Sequence, residues 1–148
     1  MDLYAESSAV LAWLLDEGRD GLDVQTLLAG ASSVIASDLT LIECDRVLAR
    51  AAAAGEISES DAAERQARHN AASAHWAILG IEEDVVERAR RPFPLEPIRT
   101  LDAIHLASAL VARRAIPGLT MLSLDGRVRR AAHRMGIPLV PPEPRASD

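Results

Sequence analysis

The chain has 148 residues and a formal net charge of -6, which leaves room for one domain burying roughly 70% of its unfolded surface. With 49% hydrophobic and 26% charged residues, disordered, collagen-like and coiled-coil classes are excluded. Its apolar runs are far shorter than the roughly 20 residues of a membrane span, and Met1, Asp2, Leu3 and Tyr4 open the chain without a basic leader. The expectation is one cytoplasmic domain over residues 1–142 with no membrane contact, followed by a loosely ordered tail at 143–148.

In chain order, residues 3–5 read as a short strand, and Ser7 and Ser8 can cap a helix whose apolar members are Val10, Leu11, Leu14 and Leu15. That helix is expected to stop near Asp16, Glu17 and Gly18, with a second helix around 22–28 before a strand at 34–36. Ser37 or Asp38 can cap the next helix, which runs from Leu39 to the alanines before Gly55 with Leu39, Ile42, Val47 and Leu48 on its apolar side. Ser58 and Asp61 have capping-box spacing ahead of an alanine-rich surface helix at 60–73, and 76–79 reads as a strand.

Glu82, Glu83 and Asp84 place negative charge in the first turn of a further helix, where its dipole favours it. Pro92, Pro94 and Pro97 then enforce an extended connection. Thr100 is expected to cap a helix over 101–114 that ends in Arg113 and Arg114, with Pro117 and Gly118 closing it. A strand at 119–124, a helix at 127–135 closed by Gly136, and a strand at 139–140 complete the chain. Strands alternate with helices throughout, which implies a three-layer α/β/α domain around a mostly parallel sheet of four to five strands.

In an open parallel sheet, ligands collect outside the carboxyl ends of the strands. Glu6 follows the first strand, Asp102 lies in the first turn of its helix and Asp125 follows the strand at 119–124. Glu43 lies inside a helix amid Leu41, Ile42, Cys44 and Val47, where an unpaired carboxylate is costly. Each acid has a plain structural role open to it. Asp102 can complement a helix dipole, Asp125 can sit in a turn before Gly126, Glu6 can flank a cap, and Glu43 can pair with Arg46 or Arg50. Four carboxylates converging on one sheet edge, however, repel one another and demand cations.

Oxygen-only donors point to Mg²⁺ or Mn²⁺, because the chain has neither the cysteine pairs nor the spaced histidines of a zinc site. Such an ion bridges an acidic protein to a phosphodiester, so the net negative charge does not forbid a nucleic-acid substrate. All sixteen basic residues are arginine, and Arg113 with Arg114, and Arg127, Arg129, Arg130 with Arg134, leave local positive patches. Cys44, the single cysteine, reads as core, as do Trp13 and Trp76, unless these two lie at an interface. His105 reads as a packed, hydrogen-bonded histidine rather than a catalytic one, and His69, His75 and His133 lack ligand spacing. At 3% aromatic residues, base stacking is weak and phosphate and shape contacts dominate. A phospho-receiver module, also doubly wound and also acidic at its strand ends, would need a lysine near its last strand, and this chain has none.

Tyr4-Ala5-Glu6-Ser7-Ser8-Ala9-Val10, Ser37-Asp38-Leu39-Thr40-Leu41-Ile42-Glu43, Thr100-Leu101-Asp102-Ala103-Ile104-His105-Leu106-Ala107 and Leu122-Ser123-Leu124-Asp125 together resemble the acid-bearing segments of PIN domains. The resemblance spans nearly the whole chain and is closest to the VapC toxins of bacterial toxin-antitoxin pairs. It implies a PIN-like fold and a Mg²⁺- or Mn²⁺-dependent endoribonuclease. Glu6, Glu43, Asp102 and Asp125 would hold the metal and orient the attacking water, supported by the hydroxyls of Ser7 and Ser123. The family usually has aspartate where this chain has Glu6, which adds a methylene at the first metal ligand. The resemblance further implies an RNA substrate, a homodimer and a VapB-like antitoxin whose carboxy-terminal segment wraps the toxin. The alternative is a degenerate PIN domain that binds RNA or a protein without cleaving.

Overall fold

The computed structural model describes residues 1–15 and 18–143. Its strands are β1 (Asp2–Ala5), β2 (Ser33–Ser37), β3 (Ala77–Leu79), β4 (Thr120–Leu122) and β5 (Leu139–Val140). Its helices are α1 (Ser7–Leu15), α2 (Arg19–Gly30), α3 (Asp38–Ala53), α4 (Glu59–Ser73), α5 (Glu83–Ala89), α6 (Thr100–Ala115) and α7 (Gly126–Arg134). All strand pairs are parallel, in the order β3-β2-β1-β4-β5.

Both faces of this sheet are covered, and the strands read accordingly. Leu3 and Ala5 of β1, Val34 and Ala36 of β2 and Leu122 of β4 pack with Val10, Leu14, Val24 and Cys44 from α1, α2 and α3. The alternate residues Tyr4, Ile35 and Met121 pack with Leu106 and Ala109 of α6 and Val128 and Ala131 of α7. An apolar residue at almost every strand position is what a parallel sheet with helices on two faces requires. Cys44 is buried in the first of these layers, as expected, and burial pushes its thiol pKa up.

The winding direction creates the crevice. From β1 the chain steps outward to β2 and β3, then returns through α5 and α6 to β4 on the other side of β1. Connections therefore leave β1 and β4 toward opposite edges of the sheet, and the space beyond their carboxyl ends lies open. Arg129 braces the far side by donating to the carbonyls of Ser123 at 2.7 Å and Pro141 at 2.9 Å, which joins the exits of β4 and β5.

Local starts follow the sequence in part. Ser37 caps α3 by accepting from Leu39 N–H, and Ser58 caps α4 by accepting from Asp61 N–H, each at 3.0 Å. Two expected caps are corrected. Helix α6 begins one residue early, so Arg99 is its N-cap with no side-chain cap bond, and Thr100 is its first helical residue. Ser7 and Ser8 lie inside α1, and their hydroxyls serve tertiary partners instead. The strand expected at 119–124 is confined to β4, because beyond it the N–H groups of Leu124 and Asp125 donate to Ser8 Oγ instead of to a neighbouring strand. Asp16 and Glu17 at the expected helix end, and residues 144–148 of the expected tail, lie outside the described residues. No helix among the described residues is long and apolar enough to cross a membrane.

Leu106 is fully buried at the centre of the α6 layer. Leu106→Ala is expected to cost about 2–5 kcal/mol through lost burial and the cavity left behind, read as a lower midpoint in urea unfolding; an unchanged midpoint would contradict this packing.

Candidate active site

Glu6 leaves β1 directly into α1, and its carbonyl accepts the opening helical bonds from Ala9 and Val10 N–H. It is only 5% exposed, and a carboxylate so placed is costly unless its oxygens find partners. Oε2 accepts from Ser123 Oγ at 2.8 Å and from Ser8 Oγ. Ser8 Oγ itself accepts from Leu124 N–H at 2.9 Å and Asp125 N–H at 3.1 Å. The start of α1 is thereby stitched to the loop after β4. Oε1 makes no hydrogen bond among the described residues and faces His105 Nε2 at 3.9 Å.

Thr40 Oγ1 donates to the Ala5 carbonyl at 3.0 Å, which anchors the first turn of α3 on the end of β1. Glu43, one turn further along, then meets Ser7 and His105 rather than Arg46 or Arg50. Ser7 Oγ donates to Glu43 Oε1 at 2.7 Å, and His105 Nε2 lies 2.6 Å from the same oxygen and 3.0 Å from Ser7 Oγ. The His105 ring is 1% exposed, with Nδ1 2.9 Å from the Tyr4 hydroxyl. A Tyr4 hydroxyl donating to Nδ1 leaves Nε2–H to donate to Glu43, a self-consistent arrangement of protons. Burial pushes the Tyr4 pKa up, so the hydroxyl keeps its proton. Burial acts on Glu43 in the same sense, but hydrogen bonds from His105 and Ser7 outweigh it and hold the carboxyl below its ordinary value.

Asp102 and Asp125 form a second pair. Asp125 is the N-cap of α7, where Oδ1 accepts from Arg127 N–H at 2.8 Å and Val128 N–H at 3.0 Å. Arg99 Nε donates to Asp102 Oδ2 at 3.1 Å, and its Nη2 stands 3.9 Å from Asp125 Oδ2. One guanidinium thus serves two carboxylates.

The structure brings Glu6 and Glu43 to one imidazole, and Asp102 and Asp125 to one guanidinium, at the carboxyl ends of the strands. With the acids pinned to separate partners, no group of three or more His, Cys, Asp or Glu side chains among the described residues is arranged to hold a metal ion. As donors they are nevertheless all hard oxygens, and small divalent cations ask for only one or two carboxylates beside water and phosphate. Glu6 is the best prepared of them, with Oε2 held by two hydroxyls as supported metal ligands are and Oε1 without a hydrogen bond among the described residues.

A family model for the PIN domain matches residues 3–134. The chain belongs to the PIN-domain family. Over 140 residues it is 34% identical to ribonuclease VapC46 of Mycobacterium tuberculosis (strain ATCC 25618 / H37Rv), covering 95% of this chain and 97% of that protein. Among solved structures it resembles VapC20 of Mycobacterium tuberculosis, described as a sarcin-ricin loop cleaving toxin, with a TM-score of 0.61 at 18% identity over 87% of this chain and 94% of that one. It also resembles a chain of VapBC2 from Rickettsia felis bound to a promoter DNA fragment, with a TM-score of 0.62 at 9% identity over 94% of this chain and 97% of that one. Identities this low establish the PIN fold alone. The expected three-layer fold is thus borne out, with a sheet of five strands that is parallel throughout.

Three residues of this PIN-domain site escaped the sequence reading. His105 is indeed packed and hydrogen-bonded, but it stands between two of the acids. Arg99, the N-cap of α6, and Asp102 and His105 within it follow one another every third residue, so each adjoins the next along the helix; that spacing was a readable signal. Ser8 gave none beyond a cap, because the two N–H groups it accepts from lie 116 and 117 residues away.

A depressed carboxyl pKa contributes stability that is present above the ordinary carboxyl range and lost as pH falls through the folded value. Glu43→Gln is therefore expected to be less stable than the parent near pH 7, with the gap narrowing near pH 3. Urea midpoints at the two pH values test this, and a gap that widens in acid would contradict it.

Proposed function

We propose that this chain is a Mg²⁺- or Mn²⁺-dependent endoribonuclease that hydrolyses RNA phosphodiesters at Glu6, Glu43, Asp102 and Asp125, and that it acts as the toxin of a VapBC-type pair. The observation that carries the reading is charge. Four carboxylates from four separate segments face the switch-point crevice with one arginine and one histidine between them, a deficit that a divalent cation would meet. PIN-family membership and the likeness to a protein named as a ribonuclease support it.

Glu6 Oε1 and Glu43 would hold the ion, with Asp102 and Asp125 completing the set; when bound, it lowers the pKa of a water and offsets charge on the phosphorane-like transition state. Ser8 and Ser123 keep Glu6 in place, and Ser7 and His105 keep Glu43 ionised. Asp102 Oδ1 makes no hydrogen bond among the described residues, so it is available to take the proton of the attacking water. The Arg99 side chain is 62% exposed and can turn from the acids to a phosphate oxygen. Direct attack by water needs no covalent intermediate.

The likeness to chains from VapBC2 and from a Klebsiella pneumoniae toxin-antitoxin complex supports a VapB-like antitoxin as partner; a homodimer working in the cytoplasm belongs to the same reading through the family resemblance alone. A PIN domain that binds without cleaving is the second reading. It is favoured by Glu6 in place of the usual aspartate and by the dispersal of the acids into pairs.

Purified protein is expected to cleave total bacterial RNA with Mg²⁺ or Mn²⁺, to lose activity with EDTA, and to lose roughly 10²–10⁴-fold in rate as Asp102→Asn. A folded, metal-loaded protein that cleaves no RNA would instead support the binding module.

A further inference from the structure

The four arginines of α7 do not share one role. Arg129 is half-buried and spends its guanidinium on the carbonyls of Ser123, Val140 and Pro141. Arg127, Arg130 and Arg134 are exposed and make no ion pair or side-chain hydrogen bond among the described residues. Their spacing of three and four residues aligns them on one side of the helix, about 4.5 and 6 Å apart along its axis, while Val128, Ala131 and Ala132 form its buried side.

Two adjoining hollows lie against this row. One, of about 480 Å³, is lined by Arg99, Asp102, Arg127 and Arg130. The other, of about 640 Å³, is lined by Arg130, His133 and Arg134 over an apolar floor that includes Ile137 and Leu139. Leu95 and Arg130 line both, so together they form one trench that starts beside Asp102 and runs out along α7. The acids along it leave the arginines unpaired. Glu96 turns its carboxylate to the N–H groups of Phe93 at 2.9 Å and Ile98 at 2.7 Å. Asp102 is engaged by Arg99, and Glu143 stands at the outer end. A row of like charges on one helix side is unfavourable by itself, and here it persists in a chain with 22 acidic residues to pair with 16 basic ones.

We propose that this trench is the track of a single-stranded RNA. Arg127, Arg130 and Arg134 take backbone phosphates, and the apolar floor lies beneath the sugars and bases. The track delivers a phosphodiester to the acids at its head. This deepens the nuclease reading and rests on it.

The test uses a fluorescent single-stranded oligoribonucleotide titrated in EDTA, where cleavage cannot contribute, against the parent protein and Arg130→Gln/Arg134→Gln. Arg65→Gln/Arg68→Gln on α4 serves as a charge-matched control. The track predicts at least a tenfold weaker affinity for the α7 variant, and a salt slope reduced by about 1.4 for two lost phosphate contacts, with the control close to the parent. Equal losses in both variants, or none in the α7 variant, would overturn it. So would a polyglutamate of matched charge that binds more tightly than RNA and is lost in the same variant, since the trench would then be a seat for an acidic protein segment. Metal-dependent cleavage by the parent is measured in parallel. Cleavage with an unaltered α7 affinity defeats the track and leaves the nuclease standing, whereas lost affinity without parental cleavage supports the track and defeats the nuclease.

Discussion

The burial of the Glu6 carboxylate at the end of β1 is the constraint on which the site depends. A charge at that depth is tolerated only where donors are brought to it, and both donors to Oε2 come from structure that must be assembled around it. Ser8 sits in the first turn of α1, and Ser123 is the residue after β4. Because Ser8 also accepts from two backbone N–H groups of the β4 exit, meeting the needs of Glu6 fixes the position of Asp125 and hence the cap of α7. One buried acid thereby couples β1, α1, β4 and α7 at the point where the sheet reverses its winding.

The same logic organises the rest of the cluster. His105 is buried between Tyr4 on one ring nitrogen and Ser7 with Glu43 on the other, so the hydroxyls and the imidazole orient one another and hold Glu43 ionised. On the outer side, Arg99 stands over Asp102 and Asp125 in contact with solvent. Glu6 and His105 are buried and Glu43 is half-buried, whereas the outer pair is met by an exposed arginine.

Net charge alone is a poor guide to such a protein. The chain is acidic overall, yet its arginines are sorted by environment: Arg129 is bound into the scaffold by carbonyls, Arg99 is bound to acids, and Arg127, Arg130 and Arg134 face outward. Sequence shows only that arginines cluster near the end of the chain. Which of them are free depends on which carbonyls and carboxylates the fold carries within reach.

The order of elements, the parallel sheet and the four acids at its carboxyl edge were legible in the sequence. Apolar strands bounded by caps and glycines are local patterns, and alternation of strand with helix leaves few topologies. Glu6, Asp102 and Asp125 were marked by position, at the end of a strand or the start of a helix, and Glu43 by its apolar neighbours inside a helix. Helix starts were less legible, because a hydroxyl can cap locally or reach a distant partner with equal ease. Ser37 and Ser58 do the first, while Ser7 and Ser8 do the second and Thr100 does neither. What only the tertiary structure decided is the pairing of the acids: Glu6 with Glu43 on His105, and Asp102 with Asp125 on Arg99. A carboxylate takes the partner that is nearest after folding, and crossovers that bring residue 6 beside residue 123, and residue 43 beside residue 105, leave no trace in local spacing.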